Sequence, residues 1–91
     1  MQISRENNAL VYRNENGETL AEITWQTLDA TTINANHTYV APSLRGQGVA
    51  AQLLDALVAL AKAEGWKIHA TCSYVARQFA ASEKYADIQA K

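Results

Sequence analysis

Cysteine is almost missing from this chain of 91 residues: Cys72 stands alone, which excludes an internal disulfide framework and leaves one free thiol that a reducing compartment preserves. Proline occurs once, at Pro42, and glycine four times, so the places where the chain must break or turn sharply are few and easy to locate. No run approaches the ~20 apolar residues of a bilayer span, and Met1–Asn8 has neither the apolar centre nor the small-residue cleavage site of a secretory signal. A cytoplasmic protein with no membrane partner is therefore expected. Neither sign of charge dominates; a net charge of -1 supplies no basic field, and nucleic acid is not expected as a partner. What is present is ordinary for a folded protein, with 48% hydrophobic and 19% charged residues, and the length suits one domain, 1–91.

The patterning alternates between the two basic periods. Ala9–Arg13 reads as a short strand, and Asn14–Glu18 carries Asn-Gly, the strongest short hairpin signal. Thr19–Leu28 continues the hairpin, with Ala21, Ile23 and Trp25 facing inward against Glu22, Thr24 and Gln26. Asp29–Thr32 reads as a turn; Ile33, Ala35, His37 and Tyr39 then alternate with Asn34, Asn36, Thr38 and Val40 up to Pro42. Ile3 suits a short edge strand. From Val49 the apolar positions Val49, Ala50, Leu53, Leu54, Leu57, Leu60 and Ala61 follow helical spacing, and Gly65 closes that helix. Trp66–Ala70 returns as a strand, parallel to the one ending at Val40 because a crossover of this length joins parallel neighbours. Ser73–Ser82 is a second helix, with Val75, Ala76, Phe79 and Ala80 inward and Ser73 available to cap it. Tyr85 and Ile88 are expected to pin the tail. The fold class is thus α/β (α+β): a mostly antiparallel sheet, one parallel βαβ crossover and two helices, small enough for homodimerisation through an exposed face to be expected.

Between Pro42 and the first helix runs Ser43-Leu44-Arg45-Gly46-Gln47-Gly48-Val49-Ala50. Glycines just before a helix let an anion approach the converging N–H groups at its positive end, and Arg45 can add a charge-assisted contact. A P-loop would need Gly-Lys-Ser/Thr, but Val49 and Ala50 follow Gly48, and a single crossover is too little for a Rossmann site.

At this point the chain resembles the GNAT acetyltransferase superfamily. Its pyrophosphate-binding pattern is Arg or Gln, any two residues, Gly, any residue, then Gly or Ala, which Arg45, Gly48 and Ala50 fill. His37-Thr38-Tyr39-Val40 before the loop and Thr71-Cys72-Ser73-Tyr74-Val75 after the last strand are similar to the very small, single-domain GNAT-like family of YjdJ-type proteins, over about residues 8 to 88. The resemblance implies a GNAT-like fold that binds acetyl-CoA, with pyrophosphate over the Arg45–Ala50 loop (Arg45, Gly46, Gln47, Gly48, Val49, Ala50) and pantetheine beside Thr38, Tyr39 and Val40. It implies N-acetyl transfer to an amine with no metal, with Cys72 and His37 as the catalytic pair.

The residues themselves keep alternatives open. Cys72 reads either as a small buried hydrophobe or as a thiol whose pKa, ordinarily about 8.5, is lowered by the following helix. His37 reads as a core histidine or as a base beside that thiol. Tyr74, Tyr39 and Tyr85 are packing residues or proton donors to a leaving CoA thiolate. Trp25 and Trp66 belong to the core, and His69 faces away from Cys72. Three functions follow: acetyl transfer, by direct attack of the amine or through an acetyl-cysteine; a CoA or acyl-CoA binding module without turnover; or a structural homodimer whose loop is a relic.

Overall fold

Asn14 and Gly17 organise the first hairpin. The Asn14 side chain accepts hydrogen bonds from the N–H groups of Asn16 (2.9 Å) and Glu18 (3.0 Å), and Gly17 takes φ 82°, a value a side chain disfavours. The computed structural model, which describes residues 2–90, places this turn between β2 (Ala9–Arg13) and β3 (Thr19–Asp29). β1 (Ser4–Glu6) pairs with β2, and Ile3 lies just before it, packed on the core. β4 (Thr32–Val40) follows β3 through a tight turn held by the Asp29 carboxylate, which accepts the Thr31 N–H at 2.9 Å. The first helix, α1 (Val49–Glu64), crosses over to β5 (Lys67–Ala70), and α2 (Ser73–Ala81) and a 3-10 segment (Glu83–Ile88) complete the chain.

The sheet order is β1-β2-β3-β4-β5, antiparallel except for the parallel β4/β5 pair, where Ile33 lies opposite Ile68. The expected α/β fold and its single parallel crossover are found. Gly65, at φ 75°, closes α1 and donates its N–H to the Ala61 and Lys62 carbonyls. The buried stripe of α1, Val49, Leu53, Leu54, Leu57, Val58 and Ala61, packs on Ala21, Ile23, Trp25, Ile33 and Ala35. Val58 joins the stripe in addition to the residues expected, and Leu60 sits only at its margin. In α2 only Val75 and Phe79 are buried; Ala76 and Ala80 are exposed because the helix meets the core along one narrow row. Tyr85 and Ile88 are buried as expected, and the Tyr85 hydroxyl donates to Asp55 of α1 at 2.7 Å. No helix among the described residues is long and apolar enough to cross a membrane.

Candidate functional site

The loop before α1 owes its path to two glycines. Gly46 and Gly48 take φ values of 83° and 75°, in the left-handed region where a Cβ adds strain. Gly48 occupies the cap position of α1, no side chain caps it, and the first turn holds no acidic residue. The N–H groups there and the positive end of the helix dipole are thus left facing outward. In front of them lies a cleft of ≈ 250 Å³ lined by Val40, Leu44, Tyr74 and, from the loop and first turn, Arg45, Gly46, Gly48, Val49, Ala50 and Ala51. Arg45 is exposed and donates from Nε to the Val40 carbonyl at 3.2 Å; Gln47 folds back onto the Ser43 carbonyl at 3.2 Å and does not line the cleft. A larger recess of ≈ 530 Å³ beside Lys67 and Asp87 has no comparable anion cradle, since the Lys67 ammonium is already held by the Asp87 carbonyl.

Cys72 sits where β4 and β5 part. β5 stays paired with β4 only as far as Ala35 opposite Ala70, and the N–H groups of Thr71 and Cys72 both turn to the Ala35 carbonyl, at 3.1 and 3.0 Å. Beyond Ala35, β4 has β3 on one side and, among the described residues, no paired strand on the other. Cys72 is the cap residue of α2, so Ser73 starts the helix rather than capping it, and no side-chain cap bond forms. The Thr38 hydroxyl lies 3.4 Å from Cys72 Sγ. Burial pushes the thiol up, but the Thr38 hydroxyl and the N–H groups of Val75, Tyr74 and Thr38 outweigh it and hold Cys72 below the usual thiol range. The donors favour the thiolate.

His37 is elsewhere. Thr24 pairs with His37 but Trp25 pairs with Ala35, so Asn36 is an extra residue, a β-bulge that reverses the alternation of β4. Ile33 and Ala35 face the helices as expected; after the bulge Thr38 and Val40 face them, while His37 and Tyr39 turn to the open face of the sheet. The His37 side chain is 54% exposed, with Nε2 3.6 Å from the Glu22 carboxylate. The side chain brought to Cys72 is Thr38, not His37.

A family model for GCN5-related N-acetyl-transferases matches residues 9–88. The chain belongs to the GCN5-related N-acetyltransferase family. Among solved structures, this N-acetyltransferase domain is similar to a "GCN5-like putative N-acetyltransferase" from Staphylococcus aureus, with 36% identity and a TM-score of 0.82 over 98% of this chain and 87% of that one. It shares its fold with an acetyltransferase from Bacillus cereus (23% identity, TM-score 0.64, 78% of this chain and 54% of that one). It also shares the fold of a Mycobacterium tuberculosis protein solved in complex with CoA (14% identity, TM-score 0.61, 88% and 56%). The domain thus spans about half the length of these last two. A comparison with curated proteins gives no match.

Of the three tyrosines weighed for this N-acetyltransferase, only Tyr74 lines the cleft. Burial pushes its hydroxyl up, with the Asp55 carboxylate and Cys72 adding to the effect, so it remains a protonated donor at neutral pH. Tyr85 is occupied with Asp55, and Tyr39 faces outward. Two contributors escaped the sequence reading. The sequence puts Thr38 beside pantetheine, not at the Cys72 thiol, and gives Asn34 no role in the site. Asn34 is in fact 7% exposed, its Nδ2 donating to Thr71 Oγ1 at 2.9 Å and its Oδ1 accepting the Thr71 N–H at 3.1 Å. The pair clamps β4 to the segment that carries Cys72. A donor-acceptor pair 37 residues apart leaves no local signal.

Proposed function

We propose that this domain is an acetyl-CoA-dependent N-acetyltransferase. The observation that carries the reading is the uncapped N-terminus of α1 opening onto the cleft between Val40 and Tyr74. The CoA pyrophosphate lies over the N–H groups of Gly48, Val49 and Ala50, with Arg45 at its edge. Pantetheine runs along the unpaired edge of β4, past Val40 toward Thr38, and main-chain N–H there polarises the thioester carbonyl.

Transfer proceeds through Cys72. Its thiolate, held by Thr38 and the first turn of α2, attacks the thioester carbonyl; a C–S bond to Cys72 forms, the C–S bond to CoA breaks, and Tyr74 gives the departing CoA sulfur its proton. The amine then attacks the acetyl-cysteine and releases the thiolate back to its donors. Support for this order comes from the donors around Sγ, which raise the share of thiolate available for attack and stabilise the thiolate when it leaves. The test is release of CoA thiol with a panel of amines, measured for the wild type, Cys72→Ala and Gly48→Ala. Transfer lost in both variants supports the scheme. Full turnover in Cys72→Ala excludes the covalent route in favour of direct attack, and CoA binding without transfer to any amine makes the domain a binding module.

A further inference from the structure

We infer that the recess between the C-terminal end of α1 and the 3-10 tail binds a free α-amino acid with an apolar side chain, held as its zwitterion. The site is separate from the acetyl-transfer chemistry. It adjoins the last turn of α1 and the first residue of β5, whose opposite ends carry the CoA cleft and lead to Cys72.

The recess holds ≈ 230 Å³ and is lined by Lys62, Gly65, Trp66, Lys67, Asp87 and Ile88. Clefts for drug-sized ligands run to about 300–1,000 Å³, so this one suits a smaller molecule. Ile88 is buried and Trp66 half-buried, which gives the recess an apolar side. Trp66 is fixed by its own neighbours: its ring centroid lies 6.4 Å from that of Trp25 and 5.7 Å from the Arg5 guanidinium. Gly65 has no atom within 4 Å of the place a Cβ would take, so the backbone there is open. The adjoining recess of ≈ 530 Å³ shares Lys67 and Asp87 but lacks Lys62 and the aromatic wall.

Lys62 and Asp87 supply opposite charges to this one recess, and neither is spent. Among the described residues, the Lys62 ammonium and the Asp87 carboxylate form no ion pair with each other or with a third group. The final turn of α1 does not need Lys62 as a cap, because the Lys62 and Ala61 carbonyls already accept the N–H groups of Gly65 and Trp66, at 3.3 and 2.8 Å. The Lys67 ammonium donates to the Asp87 main-chain carbonyl, which ties the tail to β5 and positions the residue that carries the carboxylate. Opposite charges that line one small recess without closing on each other leave room for a molecule bearing the complementary pair. A carboxylate meets Lys62, an ammonium meets Asp87, and a hydrocarbon chain lies on Trp66 and Ile88. A free amino acid carries all three groups on one carbon.

Amide and indole proton–nitrogen correlation spectra, recorded while the domain is titrated with L-leucine, isocaproate, isoamylamine or L-glutamate, test this in the wild type, Lys62→Gln and Asp87→Asn. Leucine should shift the Gly65 and Ile88 amide signals and the Trp66 indole signal at millimolar concentration. Isocaproate lacks the ammonium, isoamylamine the carboxylate and glutamate the apolar side chain; each should bind at least about tenfold more weakly than leucine. Leucine should lose about the same factor in each variant, while both variants keep the wild-type thermal response to CoA. Leucine without effect on these signals overturns the inference. Isocaproate or isoamylamine binding as tightly as leucine overturns the zwitterion, glutamate doing so overturns the apolar side chain, and wild-type leucine affinity in either variant overturns the residues assigned. CoA takes no part in the titration, so this inference and the acetyl-transfer reading stand or fall separately.

Discussion

Replacing Asn34 with alanine removes the clamp at the point where β4 and β5 diverge. The side chain makes two contacts, Nδ2 to Thr71 Oγ1 at 2.9 Å and Oδ1 from the Thr71 N–H at 3.1 Å, in a site only 7% exposed. A neutral hydrogen bond contributes about 1 kcal/mol net, and more when its loss strands a buried partner. The Thr71 N–H keeps a second acceptor, the Ala35 carbonyl at 3.1 Å, so one of the two losses is softened. The sum is about 2 kcal/mol, or roughly 8–16 °C in Tm for a domain of this size. Urea denaturation should show a lower midpoint with an unchanged m-value. A cycle with Thr71→Val should give a coupling energy of about 1 kcal/mol, because the single substitutions remove the same bond. A cost under about 0.5 kcal/mol for Asn34→Ala, or additivity with Thr71→Val, would refute the clamp.

Three further outcomes are expected. Gly48→Ala should lower stability by about 1 kcal/mol, since φ 75° strains a Cβ that otherwise meets no atom within 4 Å, and should sharply reduce stabilisation by CoA because the new methyl stands where the phosphate approaches. Thr38→Val should slow alkylation of Cys72 by iodoacetamide at pH 7 while Thr38→Ser retains the wild-type rate, because the hydroxyl beside Sγ is lost in the first and kept in the second. The Cys72 thiol is held low in the native state, so the unfolded chain binds more protons; native stability should rise with pH through the thiol range and fall away as pH drops below it. Denaturation of wild type and Cys72→Ala at pH 7 and pH 9 checks the sign, with the gap between them shifting toward the wild type at the higher pH.

Features governed by neighbouring residues were legible from the sequence. Asn14 to Gly17 announce their own turn, the α1 stripe recurs at helical spacing, and Gly46, Gly48 and Gly65 mark the three places outside the hairpin where a positive-φ glycine is used. The anion-ready loop was legible for the same reason. The orientation of His37 was not. Simple alternation assigns Ile33, Ala35, His37 and Tyr39 to one face, and the extra residue at Asn36 is visible only in the pairing with β3. Thr38 and Asn34 act through Cys72 and Thr71, 34 and 37 residues away, and polar residues on a strand carry no mark of a distant partner. The thiolate-favouring position of Cys72 came through because it depends on the helix that follows directly, although the cap residue proved to be Cys72 itself.

Thermal unfolding with and without saturating CoA and acetyl-CoA tests the central claim most directly. Ligand at 100 times its Kd adds about 2.7 kcal/mol to the native state, which for this domain raises Tm by roughly ten degrees or more. A rise of that size in the wild type, largely lost in Gly48→Ala, is the expected result. An unchanged Tm at millimolar ligand would contradict a CoA site at the N-terminus of α1.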